Sequence, residues 1–498
     1  MDTESRDAIQ SADPPSPVHR QWPKDFFGID SDDSDFDTLN LAEVYRKMES
    51  RVHVLVIPYP IQGHLNPMLQ FSKRLACKGV KVTLLTISYG EYLRDKQAGS
   101  VTVQTIADDQ EEKNRSMKDH LIKFPDLLSR KLPEIVAEQR NHGYPVSCLV
   151  YDALLTRVLE IAKQLGLLGA SFFTQSCAVG TIYCSIHEGK LLIPVEGPSV
   201  LLPGLPPLLI CDLPSFVSDL EHYYPGALEM VTGQFSNVEK ADWIFFNTFN
   251  SLEIEVLNWL AKKWPIKPVG PTIPSMFLDK RLEDDKDYDL SLLKPNSDAC
   301  LKWLDSKKPC SVVYISFGSL LALGEDQMAE LAWGLQRSDT CFLWVVRESE
   351  IKKLPNNFVE ETIEMGLVVT WSPQLEVLAH KSVGSFLTHC GWNSILEALS
   401  LGVPMVAMPQ WSDQPTNAKF VTDVWQVGVK VKADEYGIVT KEEIERCVRE
   451  VMEAEKGNEI RKNSEKWKKL ACMALDEGGD SDKNIEEFVT KLVCNANS

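Results

Sequence analysis

The chain has 498 residues, 44% of them apolar and 25% charged, the balance of a globular protein long enough for two or three domains. A formal charge of -19 opposes binding to phosphate backbones, and no apolar run is long enough to suggest a membrane span. Twelve cysteines with no CxxC pair and no metal-like clustering read as free thiols in a reducing compartment, so a cytoplasmic location is expected.

Residues 1–50 hold twelve Asp or Glu against five Lys or Arg, with Pro14, Pro15 and Pro17 and no apolar core of signal-peptide length. They read as an acidic, disordered extension, with an acidic-hydrophobic docking segment as the alternative. From residue 51 the pattern changes to apolar runs alternating with amphipathic stretches. Strands are expected at 52–58, 80–86, 101–106, 147–151 and 170–174, with 243–247 the last, and a helix at 64–78. The Pro-rich region 191–240 reads as loops and short helices. Residues 274–300 are crowded with charge and read as a solvated interdomain linker. A second series follows, with strands at 311–317, 341–346, 367–370, 385–388, 404–407 and 428–431. Helices are expected at 325–336, 374–378, 392–401 and 413–424, and more from 441 onwards. Continuous apolar strands separated by helices imply parallel sheets covered on both faces. The expected divisions are an extension (1–50), a first domain (51–273), a linker (274–300) and a second domain (301–498). A ligand belongs where the carboxyl ends of the two sheets meet.

The stretch Trp371 to Gln414 carries the most specific signal, WSPQLEVLAHKSVGSFLTHCGWNSILEALSLGVPMVAMPQWSDQ. Thr388-His389-Cys390-Gly391-Trp392-Asn393-Ser394 ends a strand and opens a helix, so backbone amides there face an anion at the positive helix end. Glu397 lies one turn on, where a carboxylate can accept from a pair of sugar hydroxyls. Trp371 can stack on a flat base. Asp413 and Gln414 offer a carboxylate and an amide. Each residue alone fits an ordinary strand–turn–helix; the ordered set does not. Ser316-Phe317-Gly318-Ser319 forms a second loop able to approach a phosphate.

His64 follows the first strand in Tyr59-Pro60-Ile61-Gln62-Gly63-His64, and Gly63 exposes its ring. It is a structural histidine or a general base. Asp152 ends another strand at the same sheet edge. It is a helix cap or the group that orients His64. Ile61, Phe124, Phe173, Gln175, Phe216 and Trp411 are candidate walls of an apolar pocket, although each aromatic could equally be core.

The 44-residue stretch resembles the signature box of the plant family-1 UDP-dependent glycosyltransferases of secondary metabolism. The resemblance runs from about residue 52 to the C-terminus. It implies GT-B architecture: two Rossmann-like, doubly wound α/β domains facing across a cleft. It assigns Trp371 to uracil, with Ser372 and Gln374 nearby, and Glu397 to the ribose. Ser319, His389, Asn393 and Ser394 fall to the diphosphate, and Trp392, Asp413 and Gln414 to the sugar. His64 and Asp152 match the family's catalytic pair. The implied reaction is inverting, metal-independent transfer of glucose from UDP-glucose to a hydroxyl or carboxyl of a small hydrophobic acceptor. Neither cofactor nor metal is expected, and the chain is expected to act as a monomer. Phe173-Thr174-Gln175-Ser176, Asn247-Thr248-Phe249, Val269-Gly270-Pro271 and Asp476-Glu477-Gly478-Gly479 resemble one subgroup, which glucosylates terpenoid alcohols, aromatic acids and thiohydroximates. Asp108 to Glu112 departs from it, being short and acidic where the family has a Gly-containing loop. The competing classes are an epimerase or phosphorylase on a similar fold, and a sugar-nucleotide sensor without chemistry.

Overall fold

The computed structural model describes residues 52–87, 96–106, 117–219, 226–283, 285–290 and 297–497. The acidic extension and the stretch Asp108 to Glu112 lie outside the described residues.

Two parallel sheets organise the fold. In spatial order the first holds Ile266–Pro268, Trp243–Phe246, Leu168–Phe173, Cys148–Asp152, His53–Ile57, Lys81–Ile87, Val101–Ile106 and Lys96–Ala98. Only the last, a short edge strand, runs antiparallel. The second holds Gly366–Val369, Cys341–Val345, Val312–Ser316, Val383–Thr388, Met405–Ala407 and Gly428–Lys430, all parallel. Central strands such as His53–Ile57 and Val312–Ser316 are buried at every position, which is why their sequences are apolar without alternation. The two edge strands Lys96–Ala98 and Ile266–Pro268 were not expected. Each has only three residues and owes its conformation to the neighbouring strand.

Each sheet reverses its order once. In the first, the chain proceeds outward in one direction from His53–Ile57 and in the other from Cys148–Asp152. In the second, the reversal falls between Val312–Ser316 and Val383–Thr388, where Ser316 pairs with Thr388. Such switch points open a crevice at the carboxyl ends of the strands, because the following loops part to opposite sides. His64 and Asp152 flank one crevice. The loops 317–319 and 389–393 flank the other.

Helix α1 (Gln62–Cys77) follows the first strand, and α2 (Cys177–His187) follows Leu168–Phe173. Helices α3 (Ala227–Gly233), α4 (Gln374–Leu378), α5 (Trp392–Leu401) and α6 (Gln414–Lys419) border the cleft. The C-terminal helix α7 (Asp480–Asn497) packs on the first sheet, where Phe488 meets Phe245 edge-on at 5.0 Å. Its neighbour Asn484 donates to the Pro268 carbonyl.

The segment after residue 274 differs from a solvated linker. Arg74 on α1 grips Asp279 through two hydrogen bonds of 2.9 and 3.1 Å. Lys73 reaches Asp285 at 2.6 Å, and both side chains are only 4% exposed. Two of its carboxylates, Asp279 and Asp285, are thus taken up by cations of α1, while Lys280, Arg281, Glu283, Lys286 and Asp287 stay exposed. Leaving one such buried charge unpaired costs about 3–5 kcal/mol.

Candidate active site

A cavity of about 1120 Å³ lies at the meeting of the two crevices, its exposed lining mostly apolar. On the first-sheet side, His64 Nδ1 stands 2.5 Å from Asp152 Oδ2. The carboxylate can only accept, so Nδ1 carries the hydrogen and Nε2 is left as the basic nitrogen. Asp152 is 1% exposed, and its other oxygen accepts from the Leu154 amide at 3.0 Å. The next helix begins only at Arg157, so Asp152 is not its cap but closes a local turn while orienting His64. Thr174 Oγ1 lies 3.0 Å from the same ring nitrogen. Tyr59 stands 5.7 Å from His64 ring to ring, and Ile61, Leu154, Phe216, Met230, Val231 and Trp411 line the same cavity. Gln175 also lines the cavity, and its Nε2 is buried without a hydrogen-bond partner.

On the second-sheet side the polar groups form one chain. Tyr314 donates to Gln374 Oε1 at 3.1 Å and meets Ser372 Oγ at 2.9 Å. Gln374 Nε2 donates to Ser394 Oγ at 3.1 Å and to Glu397 Oε2 at 2.6 Å. Glu397 Oε1 accepts from Tyr288 at 2.8 Å. Burial pushes the Glu397 carboxyl up to about 7, against the two hydrogen bonds that favour its ionised form. The N-terminus of α5 has no side-chain cap, so its first amides are free toward the cavity. Cys390 turns into it with a φ of 67°, a left-handed conformation that a non-glycine residue holds at a cost. His389 is wedged between two glycines: a Cβ on Gly391 would fall 2.5 Å from its Nε2, and one on Gly318 2.9 Å. Burial lowers the His389 pKa to about 4, so the ring is neutral at pH 7. Arg347 holds the opposing loop through the Ser319 carbonyl at 2.9 Å. Asp413, its carboxyl raised by burial, accepts from Asn417 at 2.7 Å.

Residues 233–469 match the family described as UDP-glucoronosyl and UDP-glucosyl transferase, and residues 50–140 match the glycosyltransferase N-terminal domain. UDP-glycosyltransferase 74E2 of Arabidopsis thaliana is 51% identical over 451 residues, covering 89% of this chain and 99% of that relative. The chain belongs to this family. Mogroside I-E synthase of Siraitia grosvenorii is 49% identical over 450 residues, 88% of this chain and 98% of that one. Os79 from O. sativa, solved with UDP, superposes with a TM-score of 0.82 at 37% identity over 88% of this chain and 100% of its own. The protein is thus a UDP-dependent glycosyltransferase with the GT-B fold.

In this glycosyltransferase, seventeen of the nineteen residues singled out from sequence line the cavity. Phe124 and Phe173 do not. Phe124 is buried at 1% among Leu127, Leu128 and Leu132, and Phe173 stacks on Phe246 at 4.4 Å. Both are core: Phe124 belongs to the apolar cluster that holds the strand residues Leu55, Ile57 and Leu149, and Phe173 packs on Phe235 as well as Phe246. Three further residues reach the cavity differently from expectation. The Trp392 indole is turned away and donates to the Asn247 carbonyl at 2.7 Å, leaving only its backbone for a sugar. Both N–H donors of Gln374 are used within the protein, on Ser394 and Glu397, so its side chain offers only the second acceptor position of Oε1. Gln414 Oε1 accepts from the amides of Gln410 and Trp411 at 2.9 and 3.1 Å, so its side chain offers donors alone. Sequence reading missed Tyr59, Met230, Gln234, Tyr288 and Tyr314. Tyr314 sits inside a buried strand and Tyr288 inside a charged stretch, and neither local pattern distinguishes a site residue from packing.

Proposed function

We propose that the glycosyltransferase moves glucose from UDP-glucose, with inversion, to a hydroxyl or carboxyl of a small hydrophobic acceptor such as a terpenoid, a phenolic or an aromatic acid. The observation that carries this is the facing of two devices across one cavity: His64 held by Asp152 on one wall, and the uncapped α5 terminus with Glu397 on the other. His64 Nε2 accepts the proton of an acceptor hydroxyl. The oxygen attacks the anomeric carbon from the side opposite the diphosphate, and the bond from that carbon to the phosphate oxygen breaks. The imidazolium is stabilised by Asp152. Charge developing on the leaving UDP meets the α5 amides and the hydroxyls of Ser319 and Ser394, an electrostatic contribution of about 3–4 kcal/mol per well-aimed donor. These groups serve the leaving group without a metal or a cofactor.

Trp371 is assigned to the uracil and Glu397 to the ribose diol. Among the sugar residues, Gln414 donates to a hydroxyl and Asp413 accepts from one. No residue from Trp371 to Gln414 is Arg, the natural partner of a glucuronate carboxylate, which favours glucose. The apolar lining around His64 suits a hydrophobic acceptor. Both walls come from one chain, so the enzyme acts as a monomer on this reading, and no helix among the described residues is long and apolar enough to cross a membrane. A cytoplasmic location accords with the free cysteines.

The test is a UDP-release assay with UDP-glucose, UDP-galactose and UDP-glucuronate against terpenoid alcohols, flavonoids and aromatic acids. The expected product from UDP-glucose is the β-anomer, read from the proton coupling at the anomeric carbon. An α-anomer, or faster transfer from UDP-glucuronate, overturns the reading. EDTA is expected to leave the rate unchanged.

A further inference from the structure

The segment between the two halves places a tyrosine on the carboxylate assigned to the ribose. Tyr288 donates to Glu397 Oε1 at 2.8 Å across 109 positions of sequence. Both sides of this tyrosine are tied to α1. Lys73 Nζ pairs with Asp285 at 2.6 Å and with Asp289 at 2.7 Å, and donates to the Asp287 carbonyl at 3.0 Å. Asp285 accepts in addition from the Ser275 amide at 2.6 Å. Gln62 Nε2, in the first turn of α1, donates to the Leu290 carbonyl at 2.9 Å, and Leu290 is 3% exposed. Asp289 adopts a φ of 56°, which turns the chain so that the carboxylate after Tyr288 comes back to Lys73. The tyrosine is therefore the tip of a strut whose base is the helix that bears His64.

A carboxylate has about four acceptor positions. Tyr288 uses one on Oε1, and Gln374 uses one on Oε2. One position remains on each oxygen, the arrangement that two adjacent hydroxyls fill. Held from both ends, the carboxylate cannot rotate to present a single oxygen.

We propose that Tyr288 is a positioning residue for the nucleotide: its hydroxyl fixes the Glu397 carboxylate so that the two free acceptor positions meet the ribose 2′- and 3′-hydroxyls. The inference rests on the assignment of Glu397 to the ribose. Its consequence is that the segment after residue 274 supplies part of the donor site and couples nucleotide affinity to α1.

The test uses calorimetric binding of UDP and of 2′,3′-dideoxy-UDP to the wild-type protein and to Tyr288→Phe, which keeps the ring and its packing. Wild type is expected to bind UDP at least tenfold more tightly than the dideoxy nucleotide. Tyr288→Phe is expected to lose about tenfold in UDP affinity, the size of one hydrogen bond to a charged group, and less than twofold for dideoxy-UDP. In a Glu397→Gln background the same substitution is expected to cost nothing further. The KM for UDP-glucose should rise with kcat within twofold of wild type. Equal weakening of both nucleotides by Tyr288→Phe overturns the inference and leaves the ribose assignment standing. A wild-type protein that binds the two nucleotides equally overturns the ribose assignment itself.

Discussion

The two walls of the cleft treat their polar groups in opposite ways. On the second-sheet wall, Tyr314, Ser372, Gln374, Ser394, Glu397 and Tyr288 are joined hydrogen bond to hydrogen bond before any ligand arrives. On the first-sheet wall, His64, Asp152 and Thr174 form one small polar cluster, and Ile61, Phe216, Met230 and Val231 line the same cavity. A connected network fixes geometry and so suits one invariant ligand, since a displaced member leaves others unpaired. An apolar wall fixes only shape, and shape can be recut by single substitutions at a cost of about 1–3 kcal/mol in binding. On the proposed reaction, donor choice rests on the hydrogen bonds of one wall and acceptor choice on the side-chain volumes of the other.

The largest effects are expected where chemistry depends on the polar cluster of the apolar wall. His64→Ala should lower kcat by ~10²–10⁴ while calorimetry finds UDP affinity unchanged. Retention of more than a tenth of the rate would remove His64 as the base. Asp152→Asn should come close to the same loss. Its oxygen would stay on the Leu154 amide, so its NH₂ would face His64 Nδ1 and force the hydrogen onto Nε2, the wrong tautomer for a base. A variant with near-normal activity would show that the pair is structural.

Next in size is a break in the other wall. Gly391→Ala drives a Cβ to 2.5 Å from His389 Nε2, so the ring and the loop before α5 must move. The KM for UDP-glucose should rise by about tenfold or more, with the acceptor KM unchanged. Equal changes in both constants would mean that the walls are not independent.

A titration sharpens the comparison further. Burial raises the Glu397 carboxyl to about 7, and in its proposed role on the ribose it accepts from hydroxyls best when ionised. The ionised fraction grows about tenfold between pH 6 and pH 8. UDP-glucose, a diphosphate diester, does not titrate in that range. Its KM should therefore fall as pH rises from 6 to 8, and Glu397→Gln should abolish the trend. A KM that rises with pH would contradict the sign.

The smallest catalytic effects separate the core from the pocket. Phe173→Leu should lower the melting temperature and leave the order of preferred acceptors intact, because Phe173 is 1% exposed against Phe246. Phe216→Leu should change that order with little loss of stability, since Phe216 lines the cavity edge-on to Trp411 at 5.9 Å. The reverse pattern would exchange their roles.

Much of this was legible in the amino-acid order, for reasons particular to each element. The apolar runs around His53–Ile57 and Val312–Ser316 announce strands buried on both faces. The ordered residues from Trp371 to Gln414 announce the donor wall, because a strand end, a glycine turn and a helix start lie within a few positions of one another. His64 and Asp152 were found because both follow apolar runs at strand ends. That Phe124 and Phe173 are core was not legible, because an aromatic residue carries no local mark of the face it will take. In the charged stretch after residue 274, the pairing of Asp285 and Asp279 was not legible because their partners, Lys73 and Arg74, lie some two hundred positions away.

The strands, the strand-end positions of His64 and Asp152, and the loop before α5 are each written in a short local run of residues, so the amino-acid order marks them one by one. Only the tertiary structure decided which side chains were left free for a ligand. Gln414 has its carbonyl oxygen bonded twice, Gln374 has both its N–H donors used, Trp392 turns its indole to Asn247, and Tyr288 reaches Glu397 from within the segment after residue 274. Hydrogen-bond capacity is finite for each atom. What remains of it depends on every neighbour that folding brings near, and most of those neighbours are distant in sequence.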